Sequence, residues 1–198
     1  VNFDDGIRNA PGDFEPEPTR SDEPGIIYFT SGTTGPPKMV WHTQASYGLG
    51  HRLTGELWLD LKPNDVHWNL SDTGWAKAAW SNFYGPWQMG ACVFVMDARG
   101  RFDPAAVLRT LAQYPISTLC VPPTALRLMV REDLSACRFP HLRHCVSAGE
   151  PLNPEVIEAW KAATGLTIYE GYGQTETVVL IGNFRSLGHE VRPGSMGK

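Results

Sequence analysis

The sequence lacks long hydrophobic runs. No stretch approaches the 18 or so apolar residues of a membrane-spanning helix, and no signal- or transit-type pattern opens the chain. It also lacks a basic excess: 17 Lys and Arg stand against 21 Asp and Glu, a net charge of −4. Without a basic stripe to lie along a phosphate backbone, nucleic acid is an unfavoured main partner. The four cysteines, Cys92, Cys120, Cys137 and Cys145, have no zinc or redox spacing. Cys92 and Cys120 sit in apolar runs as small hydrophobes, which suits a reduced compartment. Internal repeats and low-complexity tracts are absent as well.

What remains is a chain of 198 residues, 42% hydrophobic and 19% charged, long enough to bury a core. Its 20 glycines and 16 prolines make it rich in turns. Seven of the 21 acids fall before residue 26, so residues 1–24 read as an acidic linker or strap. From residue 25 onward, apolar β-type runs alternate with helical stretches. Strands are expected near 25–30, 66–70, 91–96, 116–121, 143–147, 166–170 and 178–183. Helices are expected over 43–58, 105–113, 124–131 and 154–164. Asp103-Pro104 and Asn153-Pro154 supply N-terminal caps, and the run at 91–96 reads as a strand buried on both faces. Alternating β and α units imply an α/β fold with a largely parallel sheet.

The most informative segment is Thr30-Ser31-Gly32-Thr33-Thr34-Gly35-Pro36-Pro37-Lys38, which follows the apolar run Ile26–Phe29. Its glycines allow backbone N–H groups to approach an anion, its hydroxyls add donors, and Lys38 adds a mobile positive charge. The spacing is not that of a P-loop, since two residues separate Gly32 from Gly35 and Lys38 precedes Met39. On physics alone, a solvated Gly/Thr turn is the competing reading.

These nine residues resemble the AMP-binding signature of the adenylate-forming superfamily, which includes acyl-CoA synthetases, luciferases and peptide-synthetase adenylation domains. Further motifs follow in the order the resemblance implies. Ser147–Leu152, with Gly149, Glu150 and Pro151, resembles the adenine-side turn, although alone it is an ordinary β-to-α turn. Glu170-Gly171-Tyr172-Gly173-Gln174-Thr175-Glu176 resembles the second signature. There Tyr172 would offer its ring to adenine and Thr175 would donate to the α-phosphate. Glu176 would ligate Mg²⁺, an ion that keeps its waters and takes one or two carboxylates. Ser71–Trp75 and the apolar stretch to Trp80 resemble the acyl-pocket region, placing Trp75 on the substrate, with Trp80 and Trp87 as core. The group most resembled is the medium-chain acyl-CoA synthetases, over roughly residues 20–198.

The resemblance implies a ligase that joins a medium-chain or aryl carboxylic acid to coenzyme A, using ATP and Mg²⁺. Its catalytic set is Lys38, Thr175 and Glu176. Thr30–Lys38, Gly149–Pro151 and Glu170–Thr175 form its nucleotide cradle. Residues 25–198 would be part of the large domain, without the N-terminal subdomain and the C-terminal lid. The chain alone would form no acyl-CoA and bind ATP weakly at best. An adenylation domain loading a carrier protein and a non-catalytic nucleotide-binding remnant are the alternatives. The compartment expected is bacterial cytoplasm or mitochondrial matrix. His42 could approach the acyl site, whereas His51, His141, His144 and His189 read as surface or capping groups.

Overall fold

A computed structural model describes residues 2–30 and 35–198. The chain builds two sheets. A two-stranded antiparallel sheet pairs β1 (Pro24–Thr30) with β2 (Lys38–Thr43). A six-stranded sheet contains β3 (Val66–Asn69), β4 (Cys92–Phe94), β5 (Thr118–Cys120), β6 (His144–Ala148), β7 (Ile168–Gln174) and β8 (Val178–Gly182). Its spatial order is β4-β3-β5-β6-β7-β8; every pairing is parallel except the last. The α/β fold and the largely parallel sheet therefore stand as the sequence indicated.

The helices are α1 (Phe3–Asn9), α2 (Gln44–Leu53), α3 (Ala76–Ala78), α4 (Gly85–Gln88), α5 (Pro104–Gln113), α6 (Pro123–Met129) and α7 (Pro154–Thr164). None is long and apolar enough to cross a membrane. Asp103 caps α5 by accepting the Ala106 N–H at 3.1 Å. Asn153 holds the same position before α7 but makes no side-chain cap. The helix expected over 43–58 divides: α2 ends at Leu53, and a π-helical turn occupies Thr54–Trp58. A second π-helical turn spans Ala79–Tyr84.

The main core lies between the six-stranded sheet and α5, α6 and α7, where Leu111, Leu119, Leu126, Cys145, Ile157 and Trp160 are buried. Burying such side chains stabilises the fold by about 1.5–3 kcal/mol each. A second cluster on the sheet's other side gathers Trp58, Leu59, Cys120 and Val146. The central strands β5 and β6 are buried along their whole length, as strands between two layers should be.

Three expectations are corrected, and the acidic segment, expected as a linker or strap, gains a short exposed helix. The run at 91–96 is an edge strand, not one buried on both faces: only Cys92–Phe94 pairs, Cys92 is exposed, and Val95 is 73% exposed. Residues 3–9 of the acidic segment form a helix capped by Asn2, with no buried residue. His51 and His144 are buried, not surface groups. Trp80 is core, but Trp87 is 61% exposed.

Candidate functional site

The site begins with strand order. β4 lies on one side of β3, and β5 lies on the other. Chains leaving neighbouring parallel strands in opposite directions open a crevice at their carboxyl ends, the usual ligand position in such sheets. A cavity of about 340 Å³ sits there, beyond β3, β5 and β6. Trp75, Lys77, Phe102, Thr124, Gly149 and Glu150 are among its walls. Trp75, the residue expected against the substrate, is 63% exposed on this wall.

Gly149 ends β6 with φ of +108°, and nothing lies within 4 Å of the position a Cβ would take. Only glycine holds that conformation cheaply, and the space beside it is open for a flat ring. Glu150 next to it is already engaged. It accepts the Thr124 hydroxyl at 2.8 Å and Arg127 at 2.7 Å, contacts that hold its carboxyl below the usual range. Pro151 is exposed, and its carbonyl accepts Arg127 at 3.5 Å.

The phosphate-loop motif joins β1 to β2. Thr30 ends β1 and pairs with Lys38, which begins β2, so the two ends of the motif lie opposite each other. Ser31, Gly32, Thr33 and Thr34 lie outside the described residues. Gly35, Pro36, Pro37 and Lys38 are exposed, and Gly35 has φ of +126°. β2 itself was not anticipated, because the sequence from Pro36 to Thr43 has only a short apolar alternation.

His42 connects the β1–β2 hairpin to the second motif. Its Nε2–H donates to the Thr175 carbonyl at 2.6 Å. The hairpin is thereby tied to the end of β7, and two motifs 130 residues apart in sequence converge. Behind His42 stand Tyr28, Tyr47, His51 and Tyr84. The Tyr28 and Tyr47 hydroxyls share a hydrogen bond, and the Tyr47 and His51 rings meet edge-on with centroids 4.0 Å apart. Burial, followed by the charge of His42, lowers His51 to about 4 and keeps it neutral. Burial raises the Tyr47 phenol well above its usual range. His42 is thus a tether to the Thr175 turn and is absent from the walls of the cavity.

The second motif divides into tip and stem. Thr175, Glu176 and Thr177 form the turn between β7, which ends at Gln174, and β8; the Gln174 N–H donates to the Thr177 Oγ1 at 3.1 Å. Glu176 is exposed at its tip and Thr175 half-buried. Tyr172 is half-buried on β7. The stem is packing. A Cβ on Gly171 would lie 2.7 Å from Trp58 Cε2, and one on Gly173 1.9 Å from the Val178 carbonyl oxygen. Glu170 is 5% exposed and leaves one carboxylate oxygen unpartnered. It takes the Leu152 N–H, and burial pushes its carboxyl up. Glu170 and Gly171 therefore underlie the Gly149–Leu152 turn and do not line the cavity.

Several cavity residues went unrecognised in the sequence, chief among them Lys77. It is 9% exposed, and its Nζ donates to the Ala148 carbonyl at 2.8 Å. The signal was present, since a lysine stands alone in the apolar stretch Trp75–Trp80. Thr124, Arg127 and Phe102 carried no comparable signal. Beneath the cavity, buried His67 has Nδ1 2.7 Å from the Thr118 hydroxyl and donates Nε2–H to the Ser81 carbonyl at 2.7 Å. The Ser81 hydroxyl accepts from Asn69 and donates to the Lys77 carbonyl, both at 2.7 Å.

The donor set fits a nucleotide and a magnesium ion. Open space beside Gly149 suits a flat ring, and an exposed Lys38 and Glu176 are hard charged groups for phosphate and metal. No group of three metal-ligating side chains occurs among the described residues. That is compatible with an ion held largely by phosphates and water.

Comparison with known proteins agrees. Residues 2–198 match the family described as AMP-binding enzyme. The chain is 57% identical to mouse "Acyl-coenzyme A synthetase ACSM3, mitochondrial", over 91% of this chain and 30% of the relative. It is 50% identical to rat "Acyl-coenzyme A synthetase ACSM4, mitochondrial", over all of this chain and 34% of the relative. The chain thus spans about a third of the length of the curated relatives it matches. Its fold is similar to a crystal structure of the anthranilate CoA ligase AuaEII with anthranoyl-AMP. There the TM-score is 0.88 and the identity 31%, over all of this chain and 38% of that one. A Brucella canis acyl-CoA synthetase gives a TM-score of 0.89 at 30% identity, over all of this chain and 36% of that one.

Proposed function

The chain belongs to the AMP-binding enzyme family, and from that premise we propose that it is the nucleotide- and acyl-binding part of an AMP-forming acyl-CoA synthetase. The substrates are a medium-chain or aryl carboxylic acid, ATP and coenzyme A. A substrate carboxylate oxygen attacks the α-phosphorus of ATP; the bond to the bridging oxygen breaks, pyrophosphate leaves, and an acyl-adenylate remains. The coenzyme A thiol then attacks the acyl carbon, loses its proton, and expels AMP.

The observation that supports this reading is that one pair of motifs is tied together by His42 while a second pair lines a cavity at the carboxyl ends of the neighbouring parallel strands, although Lys38, Tyr172, Thr175 and Glu176 are not among that cavity's walls. His42 holds the hairpin bearing Lys38 to the turn bearing Thr175 and Glu176. Trp75 and Gly149 line the cavity. Lys38 and the Thr30–Pro37 loop meet the β- and γ-phosphates, and Thr175 donates to the α-phosphate. Tyr172 and Gly149–Pro151 hold adenine, and Trp75 borders the acyl group. Glu176 would hold Mg²⁺, which would neutralise phosphate charge when bound. Fixed charges and donors aligned in advance are what such a transfer requires of a protein.

The names of the relatives favour the mitochondrial matrix over bacterial cytoplasm as the compartment. Calorimetric titration with octanoyl-sulfamoyladenosine, a non-reacting adenylate mimic, tests the reading. Saturable binding in the micromolar range is expected, weakened about tenfold in Trp75→Ala, on the order of one aromatic contact. Absence of binding at millimolar ligand overturns the nucleotide reading and leaves a non-catalytic remnant.

A further inference from the structure

Lys77 is a buried cavity-lining charge that the proposed reaction leaves without a task. Three charged side chains border the cavity: Asp72, Lys77 and Glu150. Asp72 is exposed and accepts the Gly74 N–H at 2.7 Å. Glu150 is paired with Arg127. Lys77 is more than nine-tenths buried and has no ion pair among the described residues. The rest of its surroundings are mostly apolar: Leu70, Phe102, Pro122, Ala125 and Leu128.

A buried ammonium is costly unless its donors are used. It carries three N–H groups. One goes to the Ala148 carbonyl at 2.8 Å, which leaves at least one remaining donor for a ligand. The group is held rigidly. Its backbone carbonyl is pinned by Ser81, which Asn69 at the end of β3 holds in turn. Its tip is pinned at the end of β6, so the side chain bridges over β5, which lies between those strands. The remaining donor therefore meets a bound acyl group at a fixed place in the cavity wall.

We propose that Lys77 is a specificity-determining residue that selects carboxylic acids bearing a second, hydrogen-bond-accepting oxygen on the acyl part. This rests on the acyl-adenylate reading above. A purely hydrocarbon acyl group leaves the remaining Nζ donor buried and unmet, whereas an acyl oxygen satisfies it. A hydrogen bond to a charged group contributes about 1.5–3 kcal/mol, which is about tenfold or more in affinity.

The test titrates the 198-residue chain with benzoyl-sulfamoyladenosine and its 2-, 3- and 4-hydroxybenzoyl counterparts. The three ring positions sample where a fixed donor reaches. One hydroxylated ligand should bind at least about tenfold tighter than the benzoyl ligand. In Lys77→Met that preference should fall to within about twofold, and Lys77→Gln, which keeps a donor, should retain part of it. The preference in the unsubstituted chain is itself decisive, so the test does not depend on the variants folding. Equal binding of all four ligands overturns the role of Lys77 while leaving the adenylate reading intact, as does a preference that survives in Lys77→Met. Failure of all four to bind, together with octanoyl-sulfamoyladenosine, overturns both.

Discussion

The two sheets are made of similar residues and treat them oppositely. In the six-stranded sheet, apolar side chains of β5 and β6 face helices on one side and the Trp58 cluster on the other, and none is exposed. In the two-stranded sheet, Val40 and His42 face inward onto α2, while Ile27, Phe29, Met39 and Trp41 are between 49% and 69% exposed. One sheet has layers on both faces and is a self-sufficient core. The other has a single covered face, and it carries the phosphate-loop motif. A two-stranded ribbon is marginal by itself. The hairpin is fixed from outside, by α2 packed beneath it and by the bond from His42 to the Thr175 carbonyl. The hairpin is therefore held by tethers, whereas the cavity walls are held by the core.

The largest effect expected from this contrast is on stability. Trp160→Ala in the buried sheet core should cost about 3–5 kcal/mol in urea unfolding. Trp41→Ala on the open face should change it by no more than about 0.5 kcal/mol. A loss above about 2 kcal/mol at Trp41 would break the comparison, because it would mean that the open face is covered in solution.

The second prediction concerns pH. Burial lowers both His67 and His144 to about 4 in the folded chain, against about 6.5 when unfolded. As pH falls from 6.5, the unfolded chain takes up protons first, so stability declines between pH 6.5 and 4. Each histidine contributes up to about 3 kcal/mol of that decline. Unfolding midpoints at pH 7.5, 6, 5 and 4 check it; a flat profile would show that these rings are hydrated.

The third sharpens the contrast at the stem of β7. Gly171→Ala puts a methyl against the Trp58 indole and should cost about 1–3 kcal/mol by overpacking, measured by thermal unfolding. Binding of octanoyl-sulfamoyladenosine should weaken with it, since the stem supports the Thr175 turn. The smallest stability effect belongs to Lys38→Ala. The side chain is exposed, so the unfolding midpoint should not move, while ATP affinity should fall about tenfold through loss of a charge-assisted contact. A shifted midpoint with unchanged affinity would reverse the assignment.

Much of this was readable beforehand, for reasons that can be named. The parallel sheet was legible because buried strands carry short apolar runs, such as Leu119–Cys120 within β5 and Cys145–Val146 within β6. The Asp103 cap was legible because its hydrogen bond is local. The run at 91–96 misled because an apolar composition does not say which strand is at the edge; the order of strands does. The π-helical turn at Thr54–Trp58 left no periodic trace in so short a segment. His51 and His144 looked like surface groups because a histidine's burial depends on partners distant in sequence, such as the Trp58 carbonyl 2.9 Å from His144 Nε2.

The candidate site divides in the same way. The sequence by itself determined the motifs: Thr30–Lys38, Ser147–Leu152 and Glu170–Glu176 are contiguous, and their chemistry resides in residue types and short spacings. Only the tertiary structure decided which of those residues are buried and which are open to solvent. It put Glu170 and Gly171 under the turn as support and left Glu176 at an open tip. It also carried Lys77 across β5 to the end of β6. The physical reason is that local chemistry is written along the chain. Burial and convergence depend on strand order, which no short segment contains.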